Sequence, residues 1–340
     1  MRISLIVLCL ALTSTSAFAD DNYSDRKNHQ TRTVPSQQYG SGDSKSADNG
    51  KAIKEPSFDY LSSPNHDIDI AMEAGYKTSE LRWNIAGNSS GTSPNILSEL
   101  KWENVGGYQV QPSIEYNQKT GSLKGLVIQA SANKTINNTG DNQDSDYNGN
   151  NRTLEFSRSN NSADGGDSDG FSAAIGYAFD FSSNRRKNLL RFTTLVGYAR
   201  QNQKFVMRDG FQTIPGTGAF PNLRSSYDME LSMPFIGAEL SGRFYDAHSL
   251  KFRLQATKGT YNGTGHWNLR NDFAQPDSFK QEADGYGFLL GGKYGWQFAP
   301  HTQFTISTAF NYFKTSKGTD VTNFSNGTTG HTRFNEAEFL

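Results

Sequence analysis

The chain has 340 residues, 33 Lys+Arg against 34 Asp+Glu, and a mean hydropathy of −0.68, which excludes helical membrane spans beyond the extreme N-terminus. Its one cysteine, Cys9, lies in the N-terminal apolar run, so disulfide frameworks, zinc–thiolate sites and thiol catalysis are excluded together. A balanced charge with no Lys/Arg run excludes the electrostatic footprint of a nucleic-acid binder, while 33 Gly, 23 Phe and 15 Tyr suit a turn-rich, aromatic-rich β protein.

Residues 1–19 read as a cleavable signal peptide: Arg2 supplies a positive start, Ile3 to Leu12 an apolar stretch, and Ala17-Phe18-Ala19 a small-x-small cleavage site. Residues 20–66 are rich in Ser, Asn, Gln and Asp and predict a flexible polar extension, because so few apolar groups cannot offset the entropy of ordering. From residue 67 to 340 a period of two takes over. Phe171, Ala173, Ile175, Tyr177, Phe179 and Phe181 share one face, and so do Leu190, Phe192, Thr194, Val196 and Tyr198. Phe288, Leu290, Gly292, Tyr294, Trp296 and Phe298 repeat the pattern, as do Phe304, Ile306, Thr308, Phe310 and Tyr312.

Connections alternate in length. Short turns are predicted at Asn117–Gly121, Ser182–Asn188, Asp246–Ser249 and Ala299–Thr302. Long polar loops are predicted at Ser89–Asn95, Thr135–Arg152, Met207–Ser226, Asn268–Gln281 and Lys317–Thr332. Brief turns on one side and long loops on the other predict an all-β, antiparallel up-and-down transmembrane β-barrel of about ten strands in the cell outer membrane. A soluble β-sandwich would leave the aromatic ladders without a partner sheet. The last strand, opening near Arg333, has about eight residues before Leu340, where a crossing needs roughly nine to eleven, so it is expected to be short or truncated.

The polar loops hold the candidate chemistry. Asp144 and Asp146, spaced i, i+2, can project to one side, where repulsion would raise one carboxyl and suit it to activating water. The same stretch fits D-x-[DN]-x-[DN]-G-x5-E through Asp144, Asp146, Asn148, Gly149 and Glu155, a pattern whose alternating oxygens can wrap Ca2+. Asn151 occupies the usual apolar position, and flanking helices are not expected. Asp164, Asp167 and Asp169 form a second acidic group. His266, in Gly265-His266-Trp267, is expected at a strand top on the same rim as Asp144 and Asp146. No nucleophile elbow or phosphate loop is present in the sequence.

Several short motifs, in order along the chain, are similar to the omptins, a family of ten-stranded outer-membrane endopeptidases. The likeness runs from Leu81 to Asn335 through Ser98-Glu99-Leu100-Lys101-Trp102, Gly140-Asp141-Asn142-Gln143-Asp144-Ser145-Asp146, Val196-Gly197-Tyr198, Asp209-Gly210-Phe211, Met233-Pro234-Phe235-Ile236-Gly237 and Gly265-His266-Trp267. This resemblance implies a water held between an Asp pair, matched by Asp144 and Asp146, and an Asp-x-His dyad, matched at His266. Thr264 stands where the dyad Asp belongs, so nothing adjacent along the strand would orient the imidazole, and by analogy with triads lacking their acid the loss could reach about 10⁴-fold. Asn262 replaces an acid that omptins use for basic substrate residues. Lipopolysaccharide contacts are implied at Tyr198 but altered at Arg200 and Asn202.

The resulting expectation is an omptin-like barrel that binds or adheres to an extracellular protein or peptide ligand without efficient proteolysis. Its partners would be outer-membrane lipid and lipopolysaccharide, with Ca2+ as an optional ligand. Two alternatives are a working endopeptidase, with Asp272 or Asp277 rescuing His266, and a small passive pore.

Overall fold

The computed structural model describes residues 10–14, 62–182, 189–245, 247–299 and 302–340. The rest of the expected signal peptide, the polar extension through residue 61, and turn residues 183–188, 246 and 300–301 lie outside the described residues.

The strands are β1 (Leu10–Ser14), β2 (Ser62–Ser63), β3 (His66–Ile85), β4 (Ser98–Gln118), β5 (Leu126–Gly149), β6 (Thr153–Ser162), β7 (Asp167–Ser182), β8 (Leu189–Ile214), β9 (Gly218–Ala219), β10 (Arg224–Phe244), β11 (His248–His266), β12 (Phe279–Ala299), β13 (Thr302–Thr315), β14 (Gly318–Asn323) and β15 (Thr329–Phe339). They form one antiparallel sheet that closes on itself where β15 meets β3. The extracellular half of the wall runs β3-β4-β5-β6-β8-β10-β11-β12-β14-β15, ten strands around. In the periplasmic half β7 and β13 take the places of β6 and β14, and β1 lies between β13 and β3, with Ala11 opposite both Thr305 and Glu73. Within the sequence stretch expected to be a leader, the described residues thus contribute a wall strand.

The aromatic ladders face outward. Phe171, Ile175, Phe179, Phe192, Val196, Phe252, Leu254 and Leu290 are exposed on the outer surface, as a lipid-facing band requires. The strands are much longer than a crossing needs: β5 has 24 residues and β8 has 26, against about nine to eleven for a bilayer. The wall therefore rises well above the lipid. This corrects the long loops expected at Thr135–Arg152, Met207–Ser226 and Lys317–Thr332, most of which are strand. Polar composition reads as loop in a sequence, but a barrel wall standing in water is polar on its outer face while still fully paired.

The lumen has two parts. Inside the membrane band it is lined by charge, with Lys251 bonded to Glu115 at 2.8 Å and Arg253 to Glu239 at 2.5 Å. Above the band it is filled by apolar side chains, among them Trp83, Trp102, Phe205, Tyr227, Tyr261, Phe313 and Phe334. Their rings touch in series: Trp102–Phe205 at 5.4 Å, Trp102–Tyr227 at 5.6 Å and Tyr261–Phe334 at 5.6 Å. Through this core runs a polar chain, in which the Tyr227 and Tyr261 hydroxyls lie 2.5 Å apart, Tyr227 donates to Gln281 Oε1, and Gln281 Nε2 donates to Asp320.

Candidate functional site

Residues directly opposite in an antiparallel pair project to the same face, so the register decides where each expected site residue points. Asp144 is opposite Leu100 and Asn142 opposite Trp102, both members of the luminal core. Asp144 and Asp146 therefore face inward. A strict alternation from the inward-facing Val127 and Gln129 would have turned them out. The register shifts between Glu103 and Gly107, with Asn104 at φ 55°, reverse the parity of β4 and β5 above the membrane.

The pair is strongly desolvated. Asp144 Oδ1 is buried with no hydrogen-bond partner. Burial, followed by repulsion from Asp146, pushes the Asp144 carboxyl well above the usual carboxylate range. Burial also raises Asp146, opposed by hydrogen bonds from Ser98 and Ser157 and by the field of Arg270. The cation closest in effect is thus Arg270, from the loop after β11, which is itself paired with Asp272 at 2.8 Å.

His266 is on the other side of the wall. Along β11 the inward positions are Tyr261, Gly263 and Gly265, because Gly265 is opposite the core residues Tyr227 and Phe279. A Cβ at Gly263 would collide with the Tyr227 ring, and one at Gly265 with the Phe279 ring, so these glycines make room for the aromatic core. Thr264 and His266 consequently face outward. The imidazole Nε2 is 2.8 Å from Asp228 Oδ2, and Nδ1 is 2.7 Å from the Pro276 carbonyl oxygen and 3.6 Å from Asp277 Oδ1. Both ring nitrogens face acceptor oxygens, so neither presents a free lone pair to a water. Lys204 lies 4.0 Å from Asp228, and Lys280 lies 3.1 Å from Asp277.

Sequence reading missed Asp228. It is directly opposite Thr264 across the β10–β11 pair, so the carboxylate absent along β11 is supplied from the neighbouring strand. Only the strand register could have revealed it. Of the two acids expected to rescue the imidazole, Asp277 comes near and Asp272 is held by Arg270.

The calcium pattern is not wrapped around a centre. Asp144, Asp146 and Asn148 lie along the extended strand β5, Asn148 is exposed, and Glu155 is bonded to Arg158 at 2.7 Å. Extended backbone spaces alternate residues about 6.8 Å apart along one face, whereas a calcium loop must curl. Among the described residues no group of three or more His, Cys, Asp or Glu is placed to hold a metal ion. In the second acidic group, Asp167 and Asp169 flank Lys134, with Asp169 at 3.8 Å. At the positions altered relative to the omptin lipopolysaccharide contacts, Arg200 pairs with Glu230 at 2.5 Å and Asn202 donates to Asp169 at 2.8 Å.

Three comparisons bear on these observations. The family model described as Pom, Protochlamydia outer membrane protein, matches residues 71–339. The solved outer membrane protease OmpT of Escherichia coli is similar in fold, with a TM-score of 0.62 at 13% identity, covering 81% of this chain and 94% of that one. At that identity the likeness concerns the fold. A sequence comparison with curated proteins gave no match.

Proposed function

The chain belongs to the Protochlamydia outer membrane protein family, and from that premise we propose that it is a non-proteolytic barrel whose extracellular lobe binds a protein or peptide partner. It is an outer-membrane protein of omptin-like fold. The observation that carries the reading is the separation of the expected reacting groups: Asp144 and Asp146 face the lumen while His266 faces out. A water cannot be held between a carboxylate and an imidazole that point to opposite sides of one wall. Among the described residues, the upper lumen is occupied by packed aromatic side chains. Exposed Leu154, Phe156 and Phe211 on strands above the lipid band offer apolar anchors for a partner instead.

The test is to incubate the refolded protein with dibasic fluorogenic peptides, with and without lipopolysaccharide. Cleavage at background, unchanged by His266→Ala, is expected. Turnover abolished by that substitution overturns the proposal.

One observation favours a second reading. Asp228 and His266 form a carboxylate–imidazole pair at 2.8 Å, the contact that an endopeptidase dyad requires. Under this reading Asp228→Asn and His266→Ala abolish turnover together, and Asp144→Asn leaves it intact because that carboxyl is on the other face.

A further inference from the structure

The lumen beneath the aromatic core encloses a cavity of about 1030 Å³, and its cations are not treated alike. Lys251 is matched by Glu115, Arg253 by Glu239, and Lys293 by Glu73. Lys77, which also lines the cavity, has no carboxylate within ion-pair distance among the described residues. Its ammonium donates to Ser168 Oγ at 3.2 Å and to Gln203 Oε1 at 3.2 Å, both neutral. Gln203 also accepts from Ser79 at 3.3 Å, and its own Nε2, on a residue only 2% exposed, is buried without a partner. A half-buried cation with a spare proton thus lines the cavity, and behind it, held to it through Oε1, stands an amide whose own donor is unpaired. Burying either without an acceptor is costly.

The facing lining is of the opposite kind. Leu231, Met233, Phe313 and Phe339 present apolar surface, with the Phe339 ring centroid 5.9 Å from the Lys77 ammonium. One cation calls for one negative charge, and an apolar wall beside it calls for a hydrocarbon tail rather than a hydrated inorganic ion. We infer that the lumen binds an amphipathic monocarboxylate, its carboxylate accepting from Lys77 Nζ and its tail lying against Leu231, Met233, Phe313 and Phe339. The cavity reaches Ser249 and Gln303 beside the periplasmic turns, so the ligand enters from the periplasmic side, where among the described residues the aromatic core does not extend. This site is separate from the extracellular lobe and does not depend on what that lobe binds.

The experiment titrates the full chain, folded and held in amphipol, with decanoate by calorimetry. Acetate supplies the charge without the tail, and decan-1-ol the tail without the charge. One saturable site for decanoate is expected, with acetate and decanol each at least about tenfold weaker. A charge-assisted hydrogen bond is worth at least that factor. Lys77→Met weakens decanoate about tenfold or more, and Lys77→Arg retains binding. Equal affinity in Lys77→Met overturns the proposal, as does decanol binding like decanoate, which reports partition alone, or acetate binding like decanoate, which removes the tail from the argument. Heat-modified gel mobility reports folding. If Lys77→Met does not fold, Lys77→Gln takes its place: about tenfold weaker binding supports the site, and unchanged binding overturns it.

Discussion

Replacing Asp144 by Asn should stabilise the extracellular lobe, and more so as pH rises. The carboxyl is buried, one of its oxygens has no partner, and burial with repulsion from Asp146 raises its ionisation well above the usual range. A raised carboxyl binds its proton more tightly in the folded state than in the unfolded one. The folded state is therefore favoured below the ordinary carboxylate range, and that advantage is lost as pH climbs through the raised value. Two carboxylates at i and i+2 on a strand are about 7 Å apart, and at an effective dielectric near 20 their repulsion is about 2 kcal/mol. Asn keeps the volume and removes that repulsion together with the cost of a desolvated charge. We expect Asp144→Asn to gain about 1–3 kcal/mol at pH 8 and close to nothing at pH 4. Urea unfolding of the barrel in detergent, followed by tryptophan fluorescence between pH 4 and pH 9, gives both curves. Asp320 is also raised by burial and adds a slope of the same sign, but it is common to both proteins and cancels in the difference. Parallel curves for wild type and variant across the whole range would show that Asp144 is not desolvated and would refute the inward assignment.

Other outcomes follow from the same geometry. Tyr227→Phe removes the hydroxyl that bonds Tyr261 at 2.5 Å and Gln281 at 2.7 Å, and should cost about 1–3 kcal/mol in the same unfolding assay by stranding buried acceptors. Ile236, 68% exposed on the outer face, faces lipid; Ile236→Arg should destabilise the barrel in bilayers by up to about 2–4 kcal/mol, whereas a neutral effect would move that face out of the hydrocarbon. Planar bilayers containing the protein should show no steady open steps, because the upper lumen is filled by the aromatic core; stable conductance would favour the passive pore. Trp102→Ala, at the centre of that core, should cost about 3–5 kcal/mol, and a small effect would mean that the rings are loosely packed.

The barrel was legible because lipid imposes a strong rule. Every second residue of a crossing strand must be apolar, and the ladders through Phe171–Phe181 and Phe288–Phe298 carry that rule openly. Above the lipid the rule reverses. Leu100, Trp102, Phe205, Tyr227 and Phe279 point inward there, and the outer face becomes polar, so Asn137 to Asn148 looked like loop although it is strand. Asp144 and Asp146 share one side, as i and i+2 do on any strand. Which side could not be read, because it depends on the bulges at Asn104 and Thr139, and no local signal fixes how many residues a bulge inserts.

Parity also decides which of the expected site residues share a face. The β10–β11 pair holds one continuous register from Ser226↔His266 to Phe244↔His248, so its odd-numbered residues face the lumen along the whole length. β4 and β5 switch parity halfway. An even-numbered acid on β5 and an even-numbered histidine on β11 thus end on opposite faces, although the linear motifs around each are intact. Gly263 and Gly265 hold that arrangement in place: moving His266 to the inner face by a one-residue slip would drive Thr264 and His266 into the space that Tyr227 and Phe279 fill. Asp228 then completes the outward pair from across the strands. Restoring an acid within β11 by Thr264→Asp would therefore add a carboxylate beside Asp228 on the same outer face, opposite it in register, and should lower stability through like-charge repulsion between cross-strand neighbours by a few tenths of a kcal/mol to about 1 kcal/mol without creating peptide hydrolysis. Hydrolysis of dibasic peptides appearing in that variant would mean that His266 reaches the acid pair after all.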